Sequence, residues 1–77
     1  MTHMKLRFQE MNQIVDFVNL MNQFEVDADI KFGHIVVDAK SLLGVMNIAQ
    51  KKEVELILHS DVADLPPLSE QLAVYAA

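Results

Sequence analysis

The sequence predicts an α+β fold in two layers, with a four-stranded, mostly antiparallel sheet covered on one face by three helices. The predicted element order is β-α-β-β-α-β-α. Three observations lead there. Four stretches alternate apolar and polar residues, three others carry apolar residues at helical spacing, and the second and third strands are joined by a short turn containing a glycine.

Met4-Lys5-Leu6-Arg7-Phe8 alternates, placing Met4, Leu6 and Phe8 inward. Met4 is also a second possible start, which leaves Met1-Thr2-His3 as an unstructured tail. From Asn12 to Phe24, Ile14, Phe17, Val18 and Met21 form one stripe, with Asn12 as the expected N-cap. The asparagines within this helix lower its intrinsic propensity, so packing must hold it. Asp27 to Phe32 turns Ala28, Ile30 and Phe32 to one face, and after Gly33-His34 the residues Ile35, Val37 and Ala39 continue the alternation. A joint this short makes an antiparallel hairpin.

Ser41 is an N-cap residue type ahead of Leu42-Leu43-Gly44-Val45-Met46-Asn47-Ile48-Ala49, read as a short helix. Gly44 costs that helix about 1 kcal/mol relative to alanine, so a close neighbour is expected there. Gln50-Lys51-Lys52 is a polar joint, Glu53 to His59 is the last strand with Val54, Leu56 and Leu58 inward, and Ser60 to Asp64 is a connector. Pro66-Pro67 suits the first turn of a final helix whose stripe is Leu68, Leu72, Tyr75 and Ala76.

The chain has 77 residues, 52% of them apolar, which is enough for one domain spanning residues 1–77. Cysteine is absent, which excludes disulfides and thiolate metal sites and suits a cytoplasmic protein. Eleven acidic and six basic residues give a net charge of −5, against binding nucleic acid or an anionic membrane. Apolar runs fall far short of a membrane span, and no secretory signal is visible.

No phosphate-binding glycine loop, nucleophile–histidine–acid set or paired-carboxylate motif is present, so neither catalysis nor a cofactor is expected. His34 and His59 lack ligand spacing and are expected on the wet sheet face. Asp27, Asp29, Asp38, Glu53 and Glu55 read as a solvated acidic face rather than a metal site. Leu42, Leu43, Val45, Met46 and Ile48 cannot all share one buried stripe, so part of this helix should form an exposed apolar patch.

The element order, together with Lys40-Ser41-Leu42-Leu43-Gly44-Val45-Met46, resembles HPr, the small phosphocarrier of the bacterial sugar phosphotransferase system. The motif is similar to the segment around the regulatory serine of HPr proteins from Gram-positive bacteria, and the likeness runs from about Asn12 to Ser60. It implies the HPr open-faced β-sandwich and regulatory phosphorylation of Ser41. It also implies a protein-docking face including Lys40, Leu42, Leu43, Gly44, Val45 and Met46, with phosphotransferase-system components or a serine kinase as partners.

HPr carries its phosphoryl group on a histidine ahead of the first helix, followed by Ala, Arg and Pro. Here the corresponding residues are Glu10, Met11, Asn12 and Gln13, and no histidine lies between His3 and His34. The resemblance therefore implies a degenerate member that acts by binding proteins. The alternatives are a phosphocarrier using a non-histidine acceptor, such as an acyl phosphate on Glu10, and a ligand-binding module that keeps only the fold.

Overall fold

The structure, a computed structural model, describes residues 1–50, 52–61 and 65–77. Its elements are β1 (Thr2–Arg7), α1 (Met11–Met21), β2 (Ala28–Phe32), β3 (Ile35–Asp38), α2 (Leu42–Ala49), β4 (Glu53–Leu58) and α3 (Pro66–Leu72), followed by a 3-10 turn at Ala73–Tyr75. This is the expected order. Lys51 of the polar joint and residues 62–64 of the connector lie outside the described residues.

The sheet order is β1-β4-β2-β3, every neighbouring pair antiparallel. Register follows the alternation: Leu6 pairs with Val54, Ile30 with Leu56, and Ala28 with Leu58. All of these lie on the covered face and are buried. A slip of one residue would turn this set to water. Ile14, Phe17 and Met21 of α1, Val45 and Ala49 of α2, and Leu68 and Leu72 of α3 complete the core. At its centre Phe8 and Phe17 lie 5.1 Å apart between ring centroids, with Tyr75 at 5.4 and 5.8 Å from them. Tilted and edge-on contacts of this kind add to the area each ring removes from water.

Gly33 has φ +61°, a left-handed conformation that glycine adopts without steric penalty and that lets two residues close the β2–β3 turn. Pro66 and Pro67 occupy the first turn of α3, as their missing N–H groups predict. Gly44 has the close neighbour its helix position called for. A methyl group there would sit 3.2 Å from Val37 Cβ of β3 and 3.3 Å from Ser41 Oγ.

Several expectations need correction. α1 begins at Met11 with Glu10, not Asn12, at the N-cap. Glu10 takes extended backbone angles and its side chain makes no capping bond. The side-chain bond at this terminus runs from the Gln9 N–H to Gln13 Oε1, at 2.6 Å. His3 is not in a loose tail, because it pairs with Ile57 in β1 and its Nδ1 bonds to Glu55. Phe32 and Ile35 lie on the covered face but remain exposed, since the hairpin tip extends past the helices.

The C-terminus adds a feature that alternation does not encode. Ala76 bridges Leu6, and the Ala77 N–H donates to the Lys5 carbonyl at 2.9 Å. Ala76 and Ala77 thus lie against the outer edge of β1 at Leu6 and Lys5.

Candidate functional site

Two helix N-termini carry the residues singled out in the sequence. At the start of α1, Phe8 anchors the chain in the core and bridges Gln50, while Gln9 and Glu10 cross to the helix. The Gln13 N–H donates to the Glu10 carbonyl at 3.1 Å. Glu10 is exposed, with its carboxylate at the positive end of the helix dipole, a favourable placement for an anion. Among the described residues no histidine reaches this place through the fold. His3 is held in β1 against Glu55, and His34 sits in the β2–β3 turn.

At the start of α2, Ser41 has extended backbone angles, and its Oγ accepts the Gly44 N–H at 3.3 Å. The cap expected from residue type is therefore formed. The approach to it is fixed by several hydrogen bonds. Ser41 N–H donates to the Asp38 carbonyl at 3.0 Å, and Lys40 N–H donates to Asp38 Oδ1 at 2.9 Å. Lys40 Nζ donates to the Phe24 carbonyl at 2.7 Å, and Asn22 Nδ2 donates to both the Val18 carbonyl (2.8 Å) and the Lys40 carbonyl (3.2 Å). The end of α1 is in this way fastened to the start of α2, and Ser41 is presented, exposed, on a fixed turn.

Around Ser41, Leu43 is 73% exposed and Leu42 is also exposed. Met46 is partly buried against the core, and Gly44 is half-buried against β3. Val45 has no exposed surface, because it points from α2 into the core, so it is removed from the direct docking residues. Lys40 is half-buried, its ammonium already engaged by Phe24. The parts played by Asn22 and Phe24 were missed, since a side-chain bond to a main-chain carbonyl leaves no sequence signature. Asp38 did leave one: an Asp two residues before an N–H it accepts is a common turn device.

On the uncovered sheet face the acidic groups alternate with bases. Asp29 Oδ2 lies 2.8 Å from His59 Nε2, Glu55 contacts His3, and Glu53 lies 4.0 Å from Lys5 Nζ. Among the described residues no group of three or more potential ligands is placed to hold a metal, and no helix is long and apolar enough to cross a membrane. An open groove of about 410 Å³ between α1 and the C-terminal turn is lined by residues including Asp16, Gln23, Gln71 and Tyr75. Burial, and secondarily the Asp16 carboxylate, push the Tyr75 phenol up from its ordinary value.

Among solved structures, the fold matches a phosphocarrier protein HPr from Bacillus anthracis str. Ames. That match has TM-score 0.71 and 22% identity, over 99% of this chain and 96% of that one. It also matches HPr-C-His from Thermoanaerobacter tengcongensis, with TM-score 0.71 and 18% identity, over 95% and 92% of the two chains. No curated protein matches. The family model described as "PTS HPr component phosphorylation site" matches residues 11–76, a span that opens one residue after Glu10. With the family model covering most of its length, this chain belongs to the HPr family of the phosphotransferase system.

Proposed function

We propose that this HPr-family chain works by binding other proteins of the phosphotransferase system, with Ser41 as a regulatory phosphorylation site, and that it carries no phosphoryl group at the start of α1. One observation carries the reading. Counted back without gaps from the segment that resembles the family, the place of its phosphorylated histidine falls on Glu10, an exposed glutamate at the start of α1, with Asn12 and Gln13 where Arg and Pro would stand. Arginine is the side chain suited to holding a transferred phosphate, and α1 offers none in its first turn.

Ser41 has what a modification site needs: an exposed hydroxyl on a fixed turn at a helix N-terminus. A phosphate there meets unpaired N–H groups and the positive end of the dipole of α2, so the helix tolerates the added charge. It also places about two negative charges beside the apolar Leu42 and Leu43, which changes what that surface can bind. Leu42, Leu43 and Met46, with Gly44 and Lys40 at the border, form the proposed docking face, and Val45 supports it from beneath.

Two labelling experiments test this. Incubation with phosphoenolpyruvate and the first enzyme of the system should leave the chain unlabelled, and label mapped to Glu10 would replace this reading with a carboxylate phosphocarrier. Incubation with ATP and a serine kinase of the HPr type should label Ser41. An unmodified chain under conditions that label an ordinary HPr would remove the regulatory role.

A further inference from the structure

Four segments meet at Ser41: the end of α1, the connection 22–27 that leads from it to β2, the end of β3 with the turn 39–41, and α2. Lys40 is the sole base among them, and every other charged side chain they carry is acidic. α2 itself has no charged residue. The other lysine between Phe8 and Gln50 is Lys31, which stands opposite Glu55 in the sheet register on the uncovered face, across the sheet from α2.

That one ammonium is already in use. Lys40 Nζ donates to the Phe24 carbonyl at 2.7 Å and so ties the 22–27 connection to the Ser41 turn. The carbonyl is a neutral acceptor. A phosphate on Ser41 brings about two negative charges to the adjacent residue, where Coulomb attraction adds to the hydrogen bond. Asp38, the acidic side chain beside this turn, accepts the Lys40 main-chain N–H at 2.9 Å and does not hold the ammonium.

We propose that Lys40 is a latch with two positions, and that phosphorylation of Ser41 draws its ammonium from the Phe24 carbonyl to the phosphate. The inference rests on the reading of Ser41 as a modification site. Modification joins Ser41 Oγ to the γ-phosphorus of ATP, ADP leaves and the hydroxyl proton is released. The latch then moves without further covalent change. The bonds left at this joint are long: Asn22 Nδ2 to the Lys40 carbonyl at 3.2 Å, and Phe24 N–H to the Met21 carbonyl at 3.3 Å. The modification is thereby felt in the connection after α1, beyond the face of α2 that receives the charge.

Phosphoserine placed at residue 41 during synthesis of the full chain tests the latch without a kinase. Phosphorus NMR reads the second pKa of the phosphate, which is about 6 in ordinary phosphoserine. It should lie lower with Lys40 present than in Lys40→Met by roughly 0.2–0.7 of a pH unit, the equivalent of an exposed ion pair. Lys40→Arg should recover the shift. The dipole of α2 acts alike in all three chains and cancels from the comparison. With Lys40 present, phosphorylation should also move the Phe24 carbonyl-carbon and Glu25 amide signals toward those of unmodified Lys40→Met. In Lys40→Met it should leave them in place. Far-ultraviolet circular dichroism checks that the variants keep the fold. Equal phosphate pKa values with and without Lys40 overturn the inference. So does a Phe24 carbonyl signal that phosphorylation leaves unmoved, a result that needs no variant. Failure of a kinase to label Ser41 would remove the regulatory role and leave these readouts as they are, so the two failures are distinct.

Discussion

Gly44 of α2 rests against Val37 of β3 so closely that a methyl group at residue 44 would lie 3.2 Å from the Val37 Cβ. The opposing atom is the first carbon of a strand residue and cannot rotate away. Gly44→Ala gains about 1 kcal/mol of helix propensity, but pushes α2 off β3 and crowds Ser41 Oγ, with overpacking of this kind costing about 1–3 kcal/mol. The expected outcome is a net loss near 1 kcal/mol, read as a fall of several degrees in Tm. Val37→Ala keeps the offending Cβ and should not rescue it, which a thermal double-mutant cycle would reveal.

Ser41→Ala removes the acceptor for the Gly44 N–H and should destabilise the protein by about 1 kcal/mol. Ser41→Asp keeps an acceptor and adds a charge the helix dipole favours, so its urea midpoint should stay within a few tenths of a molar unit of wild type. A large loss in Ser41→Asp would show that α2 does not tolerate an anion at its start.

Tyr75 is the only tyrosine, so phenolate absorbance reports it alone. Burial first, and Asp16 second, raise its native pKa. The native state therefore holds the proton that the unfolded chain releases near pH 10. The stabilisation is complete below that pH and is lost as pH rises through the higher native value. Urea midpoints measured up the alkaline range should fall in the wild type, and Tyr75→Phe should flatten that fall. Asp16→Asn should bring the phenol titration part of the way back toward ordinary.

Asn22→Ala deletes the donor that joins the ends of α1 and α2 through the Val18 and Lys40 carbonyls. The expected loss is about 1 kcal/mol. Faster amide exchange at Ser41 should accompany it, because the turn loses one of its fixings, while the Ile30 and Leu56 amides should change only in step with global stability.

Much of the fold was legible because strand alternation and helical stripes report the face each residue turns to the core. Leu6, Ile30, Leu56 and Phe17 show this directly. The same patterns do not report how far a covering layer extends, so Phe32 and Ile35 lie on the expected face and are still exposed. In α2, where nearly every residue is apolar, the phase of the stripe cannot be read, and Val45 could not be told from Leu43 until the packing against β3 set the rotation. The start of α1 was misplaced by two residues because Asn12 is a common cap type, whereas Glu10, which stands at the cap, makes no side-chain capping bond and contributes its main chain alone. The Ser41 cap and the Gly44 contact were readable because each rests on a residue type with few other reasons to be where it is.

The placement of Ala76 and Ala77 beside β1 bears on strand addition. With Ala76 bridging Leu6 and the Lys5 carbonyl already accepting the Ala77 N–H, another strand could join this border at those two residues only after displacing the segment that occupies them.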